Sequence, residues 1–113
     1  MPRKSNKKGI PNEVKQEVEK VVEEFNQRVL KKPYCYYAPR YRGLHLYLDR
    51  CNYGRVGQIC RLTYTGDMSK WGCATFKYSD MNYDPEEWFF PGSNHVDGTT
   101  EGAMKAGLEA YPI

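Results

Sequence analysis

The chain has few of the residues, and none of the short motifs, on which most enzyme chemistry depends. Only two of its 113 residues are histidines, His45 and His95. The sequence contains no GxSxG, HExxH, Walker or dinucleotide-binding pattern. Cys51 or Cys73 could meet His45 on one face of a sheet, yet nothing in the sequence indicates an activated thiol. We therefore assign no catalytic residue and no cofactor, and an enzyme is the less favoured interpretation.

Metal-binding spacing is also missing. The four cysteines, Cys35, Cys51, Cys60 and Cys73, include no CxxC pair. Because no secretory signal is recognisable, they are predicted to be reduced thiols in a cytoplasmic protein, and a disulfide between neighbouring strands is the alternative. Residues 80–84 begin like a calcium-binding loop, but the glycine and the glutamate that such a loop requires are absent. No metal site is assigned.

Long apolar runs are absent as well, which excludes a transmembrane helix. The length fits one domain, since globular domains cluster at about 100–150 residues. Residues 1–9 are polar and basic without periodicity, and we predict a disordered tail there. Residues 10–113 are predicted to form a single α+β domain.

The charge is distributed unevenly, although the net charge is only +3. Residues 31–61 contain seven basic residues and a single acidic residue, Asp49. From residue 67 to the end, three basic residues stand against eight acidic ones. Such an asymmetry between the two halves of the chain indicates a charged partner.

Two segments have the apolar periodicity of helices. Over residues 11–32, apolar residues recur three and four positions apart, and Pro33 ends the pattern. Residues 99–111 are predicted to form a second, shorter helix, in which small residues allow close packing. The apolar residues of the first helix are Val14, Val18, Val21, Val22, Phe25 and Val29. Each helix has one apolar face, so both are predicted to cover the same face of a sheet.

Between the helices, four segments are predicted to form strands, and the last three alternate apolar and polar residues with the period of two that is typical of strands. They are residues 34–38, 43–50, 58–65 and 71–79. Because the loops between them are short, the strands are predicted to form an antiparallel meander. The face toward the helices is predicted to carry Leu44, Leu46, Leu48, Leu62 and Phe76.

The opposite face of this sheet is predicted to be basic and rich in tyrosine. Seven of the ten tyrosines fall between Tyr34 and Tyr64, among the arginines of the basic half. Tyrosine rings can stack on bases and guanidinium groups can bind phosphates, so this face is a candidate platform for single-stranded nucleic acid. No RNP-type motif is present. The candidate residues are Tyr36, Arg40, Arg42, Tyr47, Arg55, Arg61 and Lys77.

Before the second helix lies an irregular segment with three consecutive aromatic residues, Trp88, Phe89 and Phe90. Residues 84–87 are typical of a helix start, and a Pro-Gly turn follows at 91–92. Exposed apolar patches commonly bind partners. The leading hypothesis is therefore a small soluble module that binds nucleic acid. The alternative is a protein-interaction or homodimerisation module that uses a sheet edge or these aromatics.

Overall fold

The computed structural model describes residues 9–77, 81–84 and 93–111. The helical elements are α1 (Asn12–Phe25), the π-helical turn that continues it (Asn26–Leu30), a short 3₁₀ turn (Ser93–His95) and α2 (Thr100–Ala110). The strands are β1 (Cys35–Arg42), β2 (His45–Asn52), β3 (Arg55–Thr63), β4 (Gly72–Lys77) and β5 (Asn82–Asp84).

The strands form one antiparallel sheet in the order of the chain, β1-β2-β3-β4-β5. The predicted α+β fold with an antiparallel meander is confirmed. The four predicted strands are present, and β5 is a short addition that pairs with β4. Two-residue turns at residues 43–44 and 53–54 join β1 to β2 and β2 to β3, so local hairpins build most of the sheet.

Both helices pack on the same face of the sheet, as predicted. Leu46 pairs with Leu62 across β2 and β3, and both are buried on this face. Tyr37 of β1 contacts both helices. Its ring packs edge-on against Phe25 of α1 at 5.8 Å, and its hydroxyl donates a hydrogen bond to the carbonyl oxygen of Met104 in α2 at 2.8 Å. Burial raises the pKa of Tyr37 far above its ordinary value, so the hydroxyl stays a donor.

Helix α2 approaches the sheet closely because position 107 is glycine. A Cβ atom there would lie 2.5 Å from Cγ2 of Ile59 and 2.6 Å from the hydroxyl oxygen of Tyr37. Ala103 and Ala106 of the same helix are buried as well. The small residues of α2 therefore serve helix–sheet packing.

A β-bulge at Ile59 sets which residues of β3 face the helices. Leu48 pairs with Cys60 and Asp49 pairs with Gln58, so Ile59 is the extra residue. Ile59 and Cys60 are consecutive in the chain, yet each is only 3% exposed. The alternation of faces along β3 is therefore offset by one residue at this point.

Two residues predicted for the helix-covered face lie elsewhere. Leu44 belongs to the β1–β2 turn and is 41% exposed. Cys73 pairs with Leu62, and alternation along β4 then places Phe76 on the face opposite the helices. A one-residue shift of register exchanges the two faces of a strand, and the long connection before β4 leaves that shift undetermined in the sequence.

The first helix widens at its end into the π-helical turn, which changes the residues that face the core. Leu30 is buried, whereas Val29, predicted to lie in the core, is 44% exposed. The Asn26 side chain anchors this turn to β1. Its nitrogen donates to the carbonyl oxygen of Tyr37 at 3.0 Å, and its oxygen accepts from the Tyr37 amide at 2.8 Å. These bonds occupy part of the open edge of the sheet.

Some predictions concern residues outside the described ranges, namely Trp88, Phe89, Phe90 and all of the predicted tail except Gly9. Ile10, the first residue of the predicted domain, is buried, and its amide donates to the carbonyl oxygen of Gly43 at 3.2 Å. Within the described part of the chain, no helix has both the length and the apolar character needed to cross a membrane.

Candidate nucleic-acid interface

The strand register brings five of the seven predicted nucleic-acid-binding residues onto the sheet face opposite the helices, which we call the second face. These five are Tyr36, Arg40, Arg42, Tyr47 and Arg61. Arg55 is exposed and lies directly after the β2–β3 turn, but its pairing with Asn52 places it on the opposite face from Tyr36 and Val56, contrary to the prediction. Lys77 is separate from the others. Alternation along β4 places it on the face that carries Leu62, and its Nζ lies 3.6 Å from Oδ2 of Asp84.

At the centre of the second face, cations and aromatic rings contact one another. The Arg40 guanidinium forms a two-point ion pair with Asp49, with Nε–Oδ2 at 2.9 Å and Nη2–Oδ1 at 3.3 Å. The same guanidinium lies over the Tyr47 ring, with Cζ 4.3 Å from the centroid. Tyr47 packs edge-on against Tyr83 of β5 at 5.4 Å, and Cζ of Arg61 lies 5.4 Å from the Tyr83 centroid. These contacts hold Tyr47 in place.

Tyr83 belongs to this cluster, although the sequence did not single it out. It pairs with Phe76 across β4 and β5, and the two rings are 4.9 Å apart. Burial, followed by the charge of Asp49, raises the pKa of Tyr83. A strand of three residues has too few alternations to define a face, so no pattern in the sequence marks Tyr83.

His45 lies at the β1–β2 turn end of the second face. Its Nδ1 is 3.1 Å from Oγ1 of Thr63. Burial, followed by the positive charge of Arg61, lowers the pKa of His45 below its ordinary value of 6.5. The imidazole is therefore neutral at neutral pH.

We expect His45 to make the fold less stable in mild acid. A histidine with a lowered pKa favours the folded state above its unfolded pKa, and this contribution is lost as the pH falls below about 6.5. The free energy of unfolding should therefore decrease between pH 7 and 5, and His45→Gln should reduce that decrease because glutamine does not titrate. Urea unfolding of both proteins at several pH values checks this, and parallel pH profiles would contradict it.

The other end of the second face carries exposed apolar side chains. We call Tyr34, Tyr36, Tyr53 and Val56 the tyrosine end. Tyr36, Cys51 and Val56 pair in one row across β1, β2 and β3. The rings of Tyr34 and Tyr53 stack, with centroids 4.4 Å apart and planes at 25°. Tyr53 is 72% exposed and Val56 is 70% exposed, so a ligand can reach this surface freely.

Two tyrosines of this end have a raised pKa. A hydrogen bond with Cys51 raises the pKa of Tyr36, and one with Tyr34 raises the pKa of Tyr53. Both rings are therefore neutral at physiological pH and would not repel a phosphate group.

Tyr53 has a backbone conformation that suits glycine and asparagine. The angle φ is 55° at Tyr53 and 82° at Gly54. Positive values at both central residues are those of a type I′ hairpin turn, where Asn-Gly is preferred. For a residue with a Cβ atom, the left-handed conformation costs on the order of 1 kcal/mol. The turn thus presents an exposed aromatic ring where a small polar residue would be less strained.

Exposed cations lie beside the tyrosine end. Lys31 and Lys32 line a groove together with Tyr36, and Arg55 follows the turn that carries Tyr53. All three cations are exposed. Among the described residues, none of these three forms a salt bridge, so their charges are available to an anionic ligand.

Comparison with known proteins adds no assignment to this surface: no protein-family model, curated protein or solved structure matches the chain. In the described ranges, no three His, Cys, Asp or Glu residues are grouped so that they could hold a metal ion. The second face offers aromatic rings, hydroxyl groups and cations.

The cysteine–histidine arrangement that an enzyme would need is not assembled. His45 and Cys51 lie at opposite ends of the pairing of β2 with β1, about 20 Å apart at roughly 3.3 Å per residue. Cys73 pairs with Leu62 on the helix-covered face. All four cysteines are free thiols, so the alternative of a disulfide is wrong for this structure. A hydrogen bond with Cys73, together with burial, holds the pKa of Cys60 well above its ordinary value, which leaves that thiol unactivated.

Proposed function

We propose that the chain is a binding module for single-stranded nucleic acid, and that the tyrosine end of the second face takes the bases. One observation carries this proposal: exposed tyrosine rings stand among exposed cations, including Lys31, Lys32 and Arg55, that have no acidic partner among the described residues. Stacking of a base on an aromatic side chain contributes about 1–3 kcal/mol, and lysine or arginine contacts with phosphates add salt-dependent affinity.

The remaining candidate residues then have two different roles. Arg40 and Arg61 contact Tyr47 and Tyr83, so we assign them to positioning the centre of the surface. Arg42 is exposed on the same face and, like Arg55, is assigned to phosphate contact. The excess of basic residues over residues 31–61 supports binding to a polyanion.

The variant Tyr53→Asn tests the proposal without weakening the fold. Asparagine is preferred in a type I′ turn, so the variant should unfold at the same urea concentration as the wild type or at a higher one. Loss of the ring should weaken binding of a fluorescent single-stranded oligonucleotide about tenfold, as expected from the lower half of the stacking range. Fluorescence anisotropy over a series of salt concentrations measures both the affinity and its salt dependence.

A control and two outcomes complete this test. Leu44→Asn removes an exposed apolar side chain from the turn at the other end of the sheet and should change the affinity less than twofold. If the wild type fails to bind the oligonucleotide at low salt, the proposed function is wrong. If Tyr53→Asn binds as tightly as the wild type, the tyrosine end is not the base-binding surface.

The alternative, a protein-interaction or homodimerisation module, meets an obstacle at the β1 edge. Asn26 already occupies the amide and the carbonyl of Tyr37, the amide of Cys35 donates to the carbonyl oxygen of Lys32, and Pro39 has no amide hydrogen. Little of this edge can pair with another strand. Light scattering that shows a stable dimer would favour the alternative.

A cytoplasmic location is part of the same proposal. The four cysteines are free thiols, which suits a reducing compartment.

A further inference from the structure

A groove lies where the π-helical turn leads into β1. Its volume is about 440 Å³, which is within the range of small-ligand sites. It adjoins the tyrosine end, because Tyr36 belongs to both. The lining residues are Asn26, Gln27, Lys31, Lys32, Pro33 and Tyr36.

The lining of this groove suits a nucleotide. Two of the six residues are exposed lysines, and none is acidic. The Tyr36 side chain is 41% exposed and provides an aromatic surface. The amide of Gln27 is exposed, and amides can hydrogen-bond to base edges. In such a groove, the lysine ammonium groups can bind a phosphate, and the tyrosine ring and the glutamine amide can bind a base.

Lys31 has the left-handed conformation, with φ at 59°. Its amide donates to the carbonyl oxygen of Asn26 at 2.8 Å, which closes the π-helical turn. The sharp change of direction places Lys31 and Lys32 in the lining of one groove. Glycine or asparagine would adopt this conformation with less strain, and strained residues of this kind are concentrated at binding sites. The strained Lys31 and Tyr53 thus both belong to the same region of the surface.

We infer that this groove binds one nucleotide unit, with its phosphate between Lys31 and Lys32 and its base against Tyr36. The inference rests on the proposed function and adds a defined subsite to it. A strand whose nucleotide occupies the groove can continue onto the Tyr34–Tyr53 stack, because Tyr36 borders both surfaces.

A titration of the isotopically labelled full chain with uridine monophosphate tests the groove directly. Two-dimensional NMR spectra should show saturable shifts at the Gln27 side-chain amide and at the backbone amides of residues 31–36. Uridine alone and inorganic phosphate alone should each bind at least threefold more weakly, because each lacks one of the two contacts. Absence of shifts in this set, or equal binding of uridine and uridine monophosphate, would overturn the inference.

The double variant Lys31→Asn/Lys32→Gln then links the groove to strand binding. Asparagine relieves the strain at position 31, so the variant should fold. Its affinity for uridine monophosphate and for the oligonucleotide should fall about tenfold, and the slope of log affinity against log salt should decrease by about 0.7, which corresponds to one phosphate that is no longer neutralised. Lys20→Gln/Lys70→Gln removes the same charge away from the groove lining and should leave the uridine monophosphate affinity unchanged.

The two proposals fail in different ways. If the oligonucleotide binds the wild type and the Lys31/Lys32 variant with the same salt slope, the groove inference is overturned and the proposed function stands. If uridine monophosphate binds in the groove but the wild type binds no oligonucleotide, the proposed function is overturned and the nucleotide site stands.

Discussion

Replacing Gly107 by alanine should lower the free energy of unfolding by about 1–2 kcal/mol. In an ordinary helix interior the same change stabilises by about 1 kcal/mol, because alanine is the better helix former. At position 107 the added methyl group would lie 2.5 Å from Cγ2 of Ile59 and 2.6 Å from the Tyr37 hydroxyl oxygen. Overpacking of this kind costs about 1–3 kcal/mol, so at a doubly blocked position the penalty exceeds the gain. Urea denaturation measures the difference.

A second glycine provides the control for this prediction. A methyl group at Gly72 would be 3.7 Å from its nearest atom, Cβ of Thr63, which is ordinary contact. Gly72→Ala should therefore keep or raise the stability. In a Tyr37→Phe background, Gly107→Ala should cost less than in the wild type, since one of the two obstructing atoms is gone. A Gly107→Ala protein as stable as Gly72→Ala would show that α2 does not approach the sheet as closely as described.

Replacing Asn26 by alanine should destabilise the fold by about 2–3 kcal/mol and should expose a strand edge. The side chain satisfies both the amide and the carbonyl of Tyr37 in β1. Its removal leaves two backbone groups without these partners, each worth about 1 kcal/mol or more. A free edge also invites pairing between molecules. Urea denaturation measures the loss of stability, and light scattering at increasing concentration measures self-association.

The neighbouring residue, Gln27, provides the control for the Asn26→Ala variant. Gln27 is exposed, and Gln27→Ala should change the stability by less than about 0.5 kcal/mol, as surface substitutions usually do. If Asn26→Ala and Gln27→Ala unfold at the same urea concentration, the two side-chain bonds to Tyr37 do not stabilise the sheet.

The parts of the fold that local patterns determine were predictable. Helix α1 has its apolar stripe, and Leu46, Leu48 and Leu62 alternate with polar residues as their burial requires. The face of β4 was not predictable, because its register with β3 depends on tertiary pairing rather than on its own pattern. The sequence predicts a core position for Val29 because it gives no sign of the π-helical turn, which depends on the contact between Asn26 and β1.

The candidate site also has a part that the sequence predicts and a part that it does not. Tyr36, Arg40, Arg42, Tyr47 and Arg61 share a face because β1, β2 and β3 are joined by short hairpins that keep their alternation in step. Their contacts with Asp49 and Tyr83 could not be read from the sequence, since they join strands that are distant in the chain. The sequence also does not predict the left-handed conformations of Lys31 and Tyr53, because lysine and tyrosine ordinarily avoid positive φ.

The bulge at Ile59 determines which side chains of β3 lie on the same face of the sheet. Val56 and Arg61 are five positions apart, so strict alternation would place them on opposite faces of the sheet. The extra residue in the bulge places both on the same face. Along β3, the tyrosine end and the arginine-bearing centre therefore share one face because the bulge absorbs one residue. If β3 kept all its residues but lost the bulge, Val56 and Arg61 would point to opposite faces, whereas deletion of Ile59 would remove the bulge and leave both on the same face.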